Sequence, residues 1–313
     1  MEINRKTSFF DLPNITNNQT DAPIFNSHFD KLNVAQFSIF HLSYMSKLSS
    51  FFAYSIGRKV VMALTGLFLV SFLVIHLSGN LQLFTHNPEA FNVYTRFMTT
   101  SPLIKLSEII LVLGFLTHIF LATKLSIQNN TARPTKYAYK NEGASSAWTS
   151  RNMGITGSVI LIFLGLHLYM FYGKFHYGAG ETVPVERAAT EVWKVTQAKT
   201  FVLSDGKSIM LNKEDYITEE QAQILKGQTV TGISMFKVAS DSFQNLFVVI
   251  FYVAAMLLLG LHLNHGFQSA FRSIGFVHSK YTPLINGLGL ALCVVVPAIF
   301  AAMPLYHFIM GGK

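Results

Sequence analysis

"MALTGLFLVSFLVIHLSGN", residues 62–80, is almost wholly apolar, yet His76 sits deep inside it. The phrase returns at 153–170 as "MGITGSVILIFLGLHLYM". Both copies read Met-x-x-Thr-Gly, then nine residues, then His-Leu. A helix needs roughly 20 apolar residues to cross the hydrocarbon of a bilayer, and each copy meets that length. An imidazole at such a depth is costly, so it marks either a hydrogen-bonded packing site or a functional one.

The rest of the chain supports the membrane reading. Of 313 residues, 50% are hydrophobic and only 13% charged, where soluble domains carry about a quarter charged residues. Five stretches qualify as spans: 59–82, 103–125, 153–173, 245–267 and 283–309. The only cysteine, Cys293, lies in an apolar run, which excludes a disulfide framework and any Cys-based metal or haem attachment. The formal charge of +8 is modest. It sets topology rather than nucleic-acid binding.

The expected organisation is an N-terminal extension at 1–58, spans one to three at 59–173, an inserted segment at 174–244 and spans four and five at 245–313. An interfacial helix is expected at 37–52 within the extension. Lys47, Arg58 and Lys59 precede span one, and Lys124, Arg133, Lys136, Lys140 and Arg151 join spans two and three. The positive-inside rule then puts the N-terminus in the cytoplasm and the C-terminus outside. The inserted segment carries nine acids among its basic residues and is expected to cross as a small extracytoplasmic domain. Within it, "TFVLSDGKSIML" predicts a hairpin turning at Asp205-Gly206. "TEEQAQIL" predicts a capped helix.

Four spans each hold a deep histidine: His76, His118, His167 and His262. His76 lies 17 residues beyond Lys59 and His167 lies 16 beyond Arg151, about 25 Å from the inner face. His118 precedes Lys124 by six residues and His262 precedes Arg272 by ten, so both lie near that face. The four sort into two levels, two imidazoles to each, roughly 15 Å apart. Zinc wants more than two neutral nitrogens. A haem iron takes two axial ligands and buries its ring between helices, so each level suits one bis-histidine haem. Thr65 and Thr156 each lie eleven residues before a histidine, about three helical turns, and so share its face. Gly66 and Gly157 permit close approach of a flat ring or of a neighbouring helix.

The order and spacing of His-Leu-x-x-Asn at 76–80, Phe-Leu-Thr-His at 115–118, Leu-His-Leu-Tyr at 166–169 and Leu-His-Leu-Asn-His-Gly at 261–266 resemble the di-haem cytochrome b subunit of succinate:quinone oxidoreductases. The family comprises succinate dehydrogenases and fumarate reductases, and the likeness covers about 55–310. It implies an all-α membrane protein, five transmembrane helices in a bundle enclosing two haem b, in a bacterial cytoplasmic membrane. His76 and His167 would bind the distal haem, and His118 and His262 the proximal one. His265, one turn beyond His262, is the rival for the last place. The implied partners are a flavoprotein with covalent FAD and an iron–sulfur subunit, in an assembly that can pair as a dimer of heterotrimers. The implied substrate is a quinone, expected to be menaquinone.

Glu108, near the outer end of span two, is the candidate for quinone proton transfer, with Asn80 and Arg96 weaker candidates from the same end. The alternative for Glu108 is snorkelling to the interface or pairing with Lys105. Arg58, Lys59, Arg151 and Arg272 are candidate partners of haem propionates. Some relatives carry a Glu two residues before the fourth ligand, where this chain has Gly260. His307 reads as an interface histidine at the end of span five. A haem-free transporter or metal channel lined by histidines is the rival function. It calls for acids beside the histidines, and spans one to four hold only Glu108.

Overall fold

A computed structural model describes residues 54–132 and 148–311. The expected interfacial helix at 37–52, with Lys47, Arg133, Lys136 and Lys140, lies outside the described residues. Among the described residues, the α-helices longer than a single turn are α1 (Ser55–Asn80), α2 (Pro88–Thr100), α3 (Pro102–Thr131), α4 (Met153–Tyr177), α5 (Val185–Thr190), α6 (Glu219–Ile224), α7 (Met235–Ser242), α8 (Leu246–Ser273) and α9 (Thr282–Met310). Five of them, α1, α3, α4, α8 and α9, are long and apolar enough to span a membrane. The protein is an all-α multi-pass membrane protein. On α3, Leu106, Ile109, Ile110, Leu113, Leu116 and Phe120 all point outward, each more than half exposed or nearly so. Water would make such a surface untenable, whereas hydrocarbon favours it and forces the backbone to satisfy itself as helix.

α1 and α8 pack together, α3 lies against α1, α4 lies against α8, and α3 touches α4 to close a ring of four. These are the four helices that carry the deep histidines. α9 packs on α8 and α1. At Gly260 the α8–α9 approach is so close that a Cβ would sit 2.8 Å from the Cys293 carbonyl oxygen. A longer side chain at this position has no room unless the two helices move apart.

α4 departs from regular geometry just where it matters. Immediately after His167 it passes through a π-helical turn at Leu168–Gly173, then finishes at Lys174–Tyr177. Such turns rephase a helix and recur at functional sites. Span three therefore runs past 173, and His176 belongs to it rather than to the inserted segment.

The inserted segment contains short strands. β1 (Glu181–Pro184), β5 (Thr229–Ile233) and β2 (Lys194–Val195) form an antiparallel sheet in the order β1-β5-β2, with Glu181 opposite Gly232 and Lys194 opposite Ile233. β3 (Lys199–Val202) and β4 (Ser208–Leu211) make the expected hairpin, Val202 opposite Ser208, around Gly206 at φ +81°. α6 starts with a full capping box, Thr218 and Gln221 each satisfying the other's backbone N–H. Val185, Trp193, Leu211, Leu225 and Val230 are fully buried and give the segment its own small core.

α2 carries a start signal that the hydropathy pattern hides. Asn87 accepts a hydrogen bond from the Ala90 N–H and Pro88 opens the helix, a favoured N-terminal arrangement. Asn92 on α2 is buried and ties that helix to the inserted segment. Its amide donates to the Glu191 carbonyl (2.7 Å) and to Ser234 Oγ (2.8 Å), and its oxygen accepts from the Phe236 N–H (3.0 Å).

Candidate functional site

The structure brings the deep histidines together by level. His76 on α1 and His167 on α4 meet with ring centres 5.9 Å apart and planes at 80°. Two imidazoles this close on facing helices would be able to hold one iron between them. The rings stand in an aromatic box: Phe72 stacks on His76 at 5.3 Å, and Phe163 and Phe171 flank His167. Tyr252 Oη on α8 lies 2.9 Å from His167 Nδ1. His76 makes no side-chain hydrogen bond among the described residues.

At the second level the repeated phrase finds its use. Thr65 Oγ1 lies 3.3 Å from His118 Nδ1, and Thr156 Oγ1 lies 3.3 Å from His262 Nδ1. Each threonine serves not the histidine of its own helix but that of the neighbouring one. The two glycines do the same. A Cβ on Gly66 would meet His118 Cε1 at 3.4 Å, and one on Gly157 would meet His262 Cε1 at 3.3 Å. His118 and His262 are within electrostatic reach of each other. Eleven residues separate Thr65 from His76, as they do Thr156 from His167, which sets the two levels about 16 Å apart along each helix.

The hydroxyls also favour one tautomer. A threonine has one proton to donate, and Thr65 gives it to the Val61 and Met62 carbonyls at 2.9 and 3.0 Å. With its proton on those carbonyls the oxygen accepts, an arrangement that suits the His118 tautomer with hydrogen on Nδ1 and a lone pair on Nε2. Thr156 donates to the Asn152 and Met153 carbonyls at 3.2 Å each and favours the same state of His262. Two Nε2 lone pairs at one level make a donor set suited to a metal, and the glycine cradle leaves their rings room. The residues present therefore fit a bis-histidine haem at each level. His262, not His265, is the one that meets Thr156 and Gly157.

The remaining candidates fall as follows. Arg58 and Lys59 open α1, Arg151 precedes α4 and Arg272 ends α8, so all four stand at the end of the bundle away from the inserted segment. Arg272 donates to Gln268 Oε1 at 3.2 Å, which donates in turn to Asn264. Glu108 is exposed on α3, forms no ion pair with Lys105, and is within electrostatic reach of Tyr172 and His176 on α4. Asn80 is occupied, its amide donating to the His76 carbonyl at 2.7 Å. Arg96 lies over the Tyr216 ring at 4.9 Å and so ties α2 to the inserted segment.

His307 is a correction. It is fully buried rather than interfacial, enclosed by His86 (5.6 Å), Phe236 (5.9 Å) and Phe243 (6.1 Å). α7 and the turn at Leu81–Thr85 fold over the end of α9, and hydropathy along one helix carries no trace of that cover. The partner histidine, His86, adopts φ +52°.

The chain matches no protein family, no curated protein and no solved structure. Fold and site together define a multi-pass helical membrane protein with histidines paired at two depths inside its bundle.

Proposed function

We propose that this chain is a di-haem cytochrome b membrane anchor of the succinate dehydrogenase and fumarate reductase kind, passing electrons between an iron–sulfur subunit and a quinone. The observation that carries this reading is the pairing by level: His76 with His167 at 5.9 Å, and His118 and His262 each held by a Thr-Gly pair from the adjacent helix. Among the described residues no three His, Cys, Asp or Glu side chains converge on a metal-sized site. Pairs rather than triads favour a cofactor that already supplies four of its metal's ligands.

When bound, the two haems supply reversible one-electron transfer across the membrane. The chain's part is to hold and tune them. Thr65 and Thr156 accept the Nδ1 protons of His118 and His262, which orients both rings and raises their basicity. Tyr252 accepts the Nδ1 proton of His167 when Nε2 serves as ligand. Arg58, Lys59, Arg151 and Arg272 would neutralise the propionates of a haem bound at the proximal level. Glu108, near Tyr172 and His176, exchanges the quinone proton at the other end. The membrane is that of a bacterial cytoplasm, with the N-terminus inside and the flavoprotein and iron–sulfur subunits docked on that face. The quinone is menaquinone.

Thr65→Val removes the acceptor for His118 while keeping side-chain shape. One of the two haem midpoints rises by roughly 20–60 mV, the equivalent of a hydrogen bond of about 0.5–1.5 kcal/mol, because the imidazole becomes a poorer donor. Thr65→Ser restores the wild-type potential. A redox titration of purified protein measures both.

The function itself is tested by affinity purification from the native membrane. Covalent FAD, iron–sulfur signals and succinate-driven reduction of haem b are expected in the purified complex. A di-haem chain that carries no flavoprotein and is not reduced by succinate would leave the cytochrome but overturn its assignment to this enzyme class.

A further inference from the structure

The end of α4 borders a cavity of about 210 Å³, and of its lining only His176 entered the chemistry above, as a neighbour of Glu108. This is several times the ~30 Å³ that a water occupies in the liquid. His176, Lys194, Gln197 and Lys213 bring nitrogen donors to its wall, and no carboxylate lines it. Lys194 is unusual. It is only 5% exposed, its Nζ stands 4.3 Å over the ring of the buried Phe175, and it makes no ion pair or hydrogen bond among the described residues. The stem is covered while the Nζ itself keeps some exposure, and the cavity is where an anionic partner would reach it. Burial pulls the Lys194 ammonium below the usual lysine range, with Glu214 pushing the other way from outside ion-pair distance.

The position of the cavity selects among anions. His176 and Tyr177 are the last residues of a membrane span, and the tyrosines around them face outward, Tyr169 72%, Tyr172 44% and Tyr177 81% exposed. Tyrosines in this arrangement belong at the level of lipid headgroups. We propose that the cavity binds the phosphodiester of an anionic phospholipid, with Lys194, Lys213 and His176 as its cationic and hydrogen-bonding contacts. The lipid then seals the junction between α4 and the β1-β5-β2 sheet. The same phosphate chemistry could be met by free phosphate, and the test separates the two.

Native mass spectrometry of the full chain in non-ionic detergent, titrated with phosphatidylglycerol, reads the site directly. Wild-type protein should retain one lipid that Lys194→Met and Lys213→Met each weaken about tenfold or more, the usual effect of losing one charge-assisted bond. Lys207→Met, an exposed hairpin lysine, should bind as wild type. Millimolar inorganic phosphate should not displace the lipid. Wild-type lipid affinity in either variant, once its melting matches the parent, overturns the site. Should Lys194→Met not fold, the exposed Lys213 still decides. Displacement of the lipid by inorganic phosphate overturns the lipid assignment in favour of a free anion.

Discussion

On the proposed di-haem reading, a His118→Leu chain is expected to carry one haem b against two in the wild type. Leucine fills the ring's volume but offers no lone pair, so a haem at that level would lose one of its two proposed ligands. The other level, about 16 Å away along α1, keeps His76 and His167 and their aromatic box. His262→Leu should give the same single-haem protein. The double variant is more informative than either. Both histidines are assigned to one iron, so His118→Leu with His262→Leu should lose no more haem than each alone. His118→Leu with His76→Leu should lose both haems. Strong non-additivity in the first pair and additivity in the second are what shared and separate sites require. Pyridine haemochrome ratios measure all four chains. If the His118 and His262 substitutions together remove more haem than either alone, the pairing by level is wrong.

Asn92→Leu acts at the opposite end of the bundle and on structure rather than on cofactor. Leucine matches the side chain in size but leaves the Glu191 carbonyl and the Phe236 N–H without their partner, and takes one from Ser234. Buried groups left unsatisfied cost about 1–3 kcal/mol each, so the loss is roughly 3 kcal/mol or more. It falls on the contact between α2 and α7, since Asn92 is what joins them through Ser234 and Phe236. Backbone amides of α7 should exchange with solvent about a hundredfold faster, while the haem content stays at wild type. Asn92→Asp keeps the acceptor for Phe236 and should lie between the two. Unchanged exchange in α7 would mean that the apolar packing around Phe91 and Phe236, not this polar node, holds the end together.

Much of this was legible along the chain. Spans, the hairpin at Asp205-Gly206 and the capped helix at Thr218 follow from local pattern alone, because each is stabilised by residues a few positions apart. The two histidine levels follow from counting rise per residue between charged boundaries. What the pattern could not reveal is which helix stands next to which. Thr65 shares a face with His76, but its partner is His118, and that is decided by α3 packing on α1. Gly260 has no evident role along the chain until the Cys293 carbonyl is found against it. His307 looks peripheral because its cover comes from α7, some 70 residues away in sequence. The π turn after His167 has no local signature in Leu168–Gly173 that distinguishes it from plain helix.

The central claim is that this bundle holds two low-spin haems, each between two histidines. The most direct test is the dithionite-reduced minus oxidised optical spectrum of the purified wild-type chain, with the haem content counted by pyridine haemochrome. The expected result is a low-spin haem b band and two haems per chain. A chain that folds in the membrane and shows no haem band contradicts the account, and one haem per chain contradicts its two-level site.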